Sequence, residues 1–167
     1  MRKIAFLVAC LSICLVSTAF AHNETDSAEF FDVGQGVEAT SWHYDQDPWK
    51  GTFTLIVTNS STIDWGDFHF GITGASGVYF DTLDGLYPTM DGMPITPVFN
   101  QDKTQMDLYF YTTPVLPDQQ VTFVVYTDNT ANQNELFGIC YYPTPVPEPA
   151  TLAMLGLGAL ALIRRKK

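Results

Sequence analysis

Apolar and polar side chains alternate with a period of two through most of the middle of this chain. Helical periodicity is hard to find there, and polar clusters such as "NSST", "PDQQ" and "TDNTANQNE" separate the alternating runs. These observations predict an all-β protein: an immunoglobulin-like antiparallel β-sandwich, with a jelly roll as the alternative. Strands with one apolar face suit sheets that are wet on one side, and two such sheets must bury their apolar faces together. The expected sandwich covers residues 22–142, roughly 120 residues and so the ordinary size of one domain with a core.

Residues 1–21 read as a secretory signal. Arg2 and Lys3 supply the charged part, and Ile4 to Val16 an apolar core broken only by Ser12. Ala19-Phe20-Ala21 offers the small-x-small site that signal peptidase accepts. Cleavage after Ala21 leaves His22 first. Cys10 and Cys14 depart with the signal, so Cys140 has no disulfide partner and is expected to be a buried structural thiol.

Strands are expected next, about seven in all. "FFDVGQGVEATSW" is a weak one. In "GTFTLIVTN", Phe53, Leu55 and Val57 share one face against Thr52, Thr54, Ile56 and Thr58. In "WGDFHFGI", Phe68, Phe70 and Ile72 oppose Asp67, His69 and Gly71. "GVYFDTL" is weak. "MDLYFYT" sets Met106, Leu108 and Phe110 against Asp107, Tyr109 and Tyr111, and "VTFVVYTD" and "LFGICYY" follow. The stretch from Gly51 to Ile72 also looks like the strand, Asn turn, Trp and strand segment of exported sandwich modules. That likeness bears on fold alone.

The charge is unevenly placed. The chain has 18 Asp and Glu against 8 Lys and Arg, a net charge of −10. Apart from Arg2, Lys3 and the four closing cations, the only basic residues are Lys50 and Lys103, while every carboxylate falls between Glu24 and Glu148. So acidic a middle argues against a nucleic-acid partner, whose phosphates call for Lys and Arg. It suits a solvated surface that meets cations or neutral polysaccharide.

The close of the chain has another character. Pro143, Pro145, Pro147 and Pro149 alternate, and residues 143–149 are expected to form a stiff stalk. From Ala150 to Ile163 no residue is charged and only Thr151 is polar; Arg164, Arg165, Lys166 and Lys167 then act as a membrane stop. Residues 150–167 therefore read as a single transmembrane helix with a basic tail. Its fourteen uncharged residues span roughly 21 Å against a hydrocarbon core of about 30 Å, short for a lasting anchor. Gly156 and Gly158 weaken it further and let another helix approach closely.

Pro147, Glu148 and Pro149, the hydrophobic run and the basic end, together with an N-terminal signal, resemble the PEP-CTERM family of exported Gram-negative proteins. The resemblance implies an exosortase, a membrane-embedded cysteine transpeptidase, as partner and processing near the triplet. It implies a precursor held in the inner membrane with its domain on the periplasmic side, then a place at the cell surface or in the matrix alongside exopolysaccharide. Lys at the last two positions departs mildly from the family's Arg-rich end. The resemblance covers only the last two dozen or so residues and leaves the domain's own activity open.

Two stretches of the domain are candidates for binding. "SWHYDQDPWKG" gathers Trp42, His43, Tyr44, Asp47 and Trp49; flat rings stack on sugar faces, so Trp42, Tyr44 and Trp49 form a candidate glycan site. The alternative is that one Trp plugs the core. Asp81, Asp84 and Asp91 sit among glycines and prolines where calcium is conceivable, but the spacing is not that of an EF-hand and turn chemistry suffices. No metal or other cofactor is expected. His43 and His69 form no zinc motif, no G-x-S-x-G frames a serine, and Asp67 with His69 reads as a solvated pair. The expectation is a non-enzymatic surface protein. A carbohydrate-binding module and a secreted hydrolase are the alternatives.

Overall fold

Phe53, Leu55 and Val57 are all buried along β3 (Lys50–Asn59), and Thr52, Thr54, Ile56 and Thr58 between them are half-buried on the other face. The same alternation makes β4 (Trp65–Thr73), β9 (Gln105–Tyr109), β10 (Gln120–Asp128) and β11 (Leu136–Pro145). The computed structural model describes residues 23–44, 50–82, 85–130 and 136–147. Among them are also β1 (Asn23–Phe30), β2 (Ala39–Tyr44), β5 (Tyr79–Asp81), β6 (Thr89–Met90), β7 (Met93–Pro94) and β8 (Pro97–Phe99).

The strands form two sheets in an all-β fold consistent with a β-sandwich. One sheet runs β1-β3-β10-β6-β7, with β5 also on β10; the other runs β2-β11-β4-β9-β8. Their inner faces share one aromatic core. Phe68 of β4 lies 4.7 Å from Phe123 of β10 and 6.0 Å from Trp65, ring centre to ring centre, and Phe30, Phe70 and Tyr141 surround it. Trp65 is fully buried and plugs this core, whereas Trp42 of the 42–49 stretch is exposed. Asn59 ties the turn before it: its Nδ2 donates to Ile63 O at 3.0 Å and Val115 O at 2.9 Å.

Three features differ from the sequence expectation. β1 has no apolar alternation, because its inward positions include Glu24 and Asp26; these meet His43 and Ser41 inside the sandwich. β1 is also parallel to β3, which is possible because the chain crosses to the other sheet as β2 before returning. The Gly-rich loop around Asp91 contains a small hairpin, β6 to β7. Asp91 and Gly92 both have positive φ, 50° and 78°, as a tight two-residue reversal requires.

The third concerns the prolines. Pro143 and Pro145 lie in β11, paired with Phe68 and Trp65 of β4, so the stalk expected from residue 143 is sheet as far as Pro145. Pro143 O accepts from Gly34 N at 2.8 Å, which shows that Pro143 points away from β4. Alternation turns Tyr142 and Thr144 toward β4 instead, so the prolines' missing N–H groups cost the ladder nothing. Val146 N closes the strand on Asp64 O at 3.0 Å, and Pro147 is exposed just beyond it. The expected signal peptide with Ala19 and Ala21, and the helix and basic tail of residues 150–167, lie outside the described residues. Among the described residues no helix is long and apolar enough to cross a membrane.

Candidate functional site

Among the described residues, the outward face of the β2-β11-β4-β9 sheet carries a cluster of polar and titratable side chains, in rows set by strand register. In one row Tyr142, His69 and Asp107 are neighbours; in the next, Thr144, Asp67 and Tyr109. The His69 ring stacks on Tyr142 at 4.7 Å and 22°. Its Nδ1 lies 2.7 Å from Asp107 Oδ1 and its Nε2 3.4 Å from Asp67 Oδ1. Tyr111 donates to Asp67 Oδ2 at 2.8 Å, Tyr109 to Asp107 Oδ2 at 3.2 Å, and the Thr144 hydroxyl to Asp67 Oδ1. Asp67 is buried. The expected solvated Asp67–His69 pair is thus a half-sunken network, because tyrosines from β9 and the segment after it close over it.

The electrostatics follow from that crowding. Burial alone lowers the His69 pKa, but hydrogen bonds to Asp67 and Asp107 and their charges outweigh it and raise the value above 6.5. Burial, then the bond to Asp67, pushes Tyr111 up to about 12. Cys140 is only partly buried, its Sγ 3.2 Å from Gly71 O, and burial together with the Glu38 charge raises its pKa. Gly71 has no room for a side chain: a Cβ there would stand 2.8 Å from the Cys140 sulfur. Beside these groups opens a pocket of about 290 Å³, lined by Glu38, His69, Gln105, Asp107, Cys140 and Tyr142 among others. A second groove, about 320 Å³, runs past Met90, Met93, Ile95 and Phe110. Its one carboxylate, Asp91, accepts from Thr122 N at 2.8 Å.

Of the candidate glycan residues, Trp42 and Tyr44 lie on the outward face of β2 and are 56% and 61% exposed. The Trp42 ring rests above Gly74 and Gly138, where added side chains would meet it. His43, between them, points inward. It stacks on Phe137 at 5.1 Å and meets Glu24 through Nδ1, so it takes no part in the outer face. Trp49 and Asp47 lie outside the described residues, as does Asp84. Asp81 is paired with Lys103 at 3.1 Å and Lys50 at 3.8 Å, so the two lysines of the domain converge on it. Among the described residues no three His, Cys, Asp or Glu side chains are grouped as a metal site. Tyr142, Tyr109, Tyr111 and Asp107 were not singled out as a site from the sequence. Their period-two positions in neighbouring strands were the available signal, but pairing order is needed to bring them together.

The C-terminal end supplies the second functional element. Pro147 emerges exposed immediately after Val146 is pinned to Asp64, with Glu148 and Pro149 beyond the described residues. Residues 145–167 match the family described as the PEP-CTERM protein-sorting motif. This chain carries a PEP-CTERM sorting motif. The motif overlaps the fold by one strand residue, Pro145, so the sandwich and its sorting signal are almost directly joined. A PEP-CTERM motif implies processing by an exosortase, and hence export and a membrane-anchored precursor bound for the cell surface. No curated protein and no solved structure matches the chain.

Proposed function

We propose that this chain is a non-catalytic surface or matrix protein that a signal peptide exports and an exosortase cuts near Pro147, Glu148 and Pro149. The observation that carries the reading is the sorting motif beginning where β11 ends, which leaves Pro147 exposed beside a finished domain. In the precursor, Arg164 to Lys167 stay in the cytoplasm and the sandwich, read as immunoglobulin-like, stands on the periplasmic side. After processing it resides at the surface or in the matrix alongside exopolysaccharide. Glu148→Ala leaves the domain folded and blocks maturation, so the uncut form accumulates in the membrane fraction. Normal release of that variant counts against the reading.

Catalysis has one structural temptation, the line Asp107–His69–Thr144, whose order resembles an orienting acid, a base and a nucleophile. Two facts weigh against it. The Thr144 hydroxyl donates to Asp67, and His69 faces carboxylates through both nitrogens, which favours the cation over the neutral base.

A second reading, a carbohydrate-binding module, is favoured by Trp42 and Tyr44 sharing an exposed sheet face with Tyr142, Tyr109 and Asp107. Rings would stack on sugar C–H faces while Asp107 and Glu38 bind hydroxyls at the pocket. Replacing Trp42 and Trp49 by Ala should then lower affinity for a neutral polysaccharide at least tenfold in a calorimetric titration. Unchanged binding by the folded variant would remove this site.

A further inference from the structure

One end of the sandwich gathers exposed apolar side chains where the chain leaves for the membrane. β1 and β3 both finish there, at Phe30 and Asn59, and β4 begins there at Trp65 opposite Pro145 of β11. Ser60 N bonds Phe30 O at 2.9 Å, the Asn59 carboxamide holds the Ile63 and Val115 carbonyls, and Val146 N holds Asp64 O. These bonds place Phe31, Ile63 and Leu116 around the same end as Pro147. Phe31 is 72% exposed, Ile63 42% and Leu116 43%, although buried positions were open to the chain a residue or two away in Phe30, Trp65 and Val115.

The length of the remaining chain decides what meets this rim. Only Glu148 and Pro149 separate Pro147 from the apolar run that begins at Ala150. Three residue steps reach at most roughly 11 Å. In an anchored precursor the rim therefore stands at the lipid headgroups. Held so close, even a weak apolar contact is occupied, because the tether sets a high effective concentration. We propose that Phe31, Ile63 and Leu116 form a membrane-resting surface that seats the precursor on the bilayer interface, with the β2 end of the sandwich pointing away. The inference rests on the anchored-precursor reading above.

Charge selects the lipid and explains release. Asp32, Asp64 and Asp118 flank the rim, while Lys50 and Lys103 both lie with Asp81 toward the opposite end of β3 and β10. A rim bearing carboxylates is repelled by anionic headgroups and suits zwitterionic ones. Without its tether the apolar contact is too small to hold the domain, so cutting near Pro147 frees it.

The test inserts the full chain through its C-terminal run into phosphatidylcholine vesicles, floats them and measures amide exchange. A F31S/I63S/L116S variant, altered only at exposed positions, is treated identically. The proposal expects protection factors across residues 31–33, 62–64 and 115–118 to be at least threefold higher in the native chain. The far-end loop of residues 74–78 should be equally protected in both, which also reports an intact fold. Flotation of both forms with equal rim protection overturns the proposal and leaves the anchored reading standing. If the native chain does not float with the vesicles, the anchored reading fails and the proposal falls with it.

Discussion

His69 shows how one side chain reports its surroundings. Its two ring nitrogens face Asp107 and Asp67, and its folded pKa is raised despite burial. A raised value means that the cation stabilises the folded state. That contribution is complete below about pH 6.5, the ordinary value, and is lost as pH rises through the folded value. His69→Gln should therefore cost stability in acid, with the gap to the native protein narrowing as pH rises. Urea midpoints measured from pH 5 to pH 9 check this; a gap that widens with pH would contradict it. At this scale the sequence was only partly legible. Alternation along "WGDFHFGI" put Asp67 and His69 on one face correctly, but the cover supplied by Tyr111 and Thr144 comes from residues 44 and 77 positions away from Asp67. No local pattern foretells such a lid.

At the scale of elements, β11 is the most informative. Its alternating prolines place every absent donor on the edge away from β4, and its ladder uses Tyr142, Thr144 and Val146 instead. Thr144→Pro should remove a paired donor and cost about 2–4 kcal/mol in chemical denaturation. Pro143→Ala should cost only about 1 kcal/mol. Equal costs would mean that the prolines' phase does not matter. Taken alone, four prolines at period two read as a free stalk, because proline seldom continues a strand. What the composition hid is that a strand bonded along one edge tolerates them. β1 was hidden for the opposite reason: Glu24 and Asp26 occupy inward positions, paying for burial with contacts to His43 and Ser41 that no alternation rule anticipates. By contrast β3, β4, β9 and β10 were legible, since their apolar faces are built from large residues at strict alternation.

The whole molecule is polarised along the strands. The chain leaves at the end marked by Phe31, Ile63 and Leu116, while Tyr44, Lys50 and Leu136 lie at the other. A candidate sugar-binding face thus runs from the exit end toward the far end, along the side of a sandwich whose sorting motif starts at its last strand residue. The two-sheet arrangement was readable from sequence, and so was the sorting signal, because its order of triplet, apolar run and cations is local. Everything proposed about place and partner depends on that signal being acted upon. The most direct measurement is the intact mass of the protein recovered from the cell surface. Processing predicts a species that has lost the apolar run and basic tail; a surface species that still extends through Lys167 would contradict it.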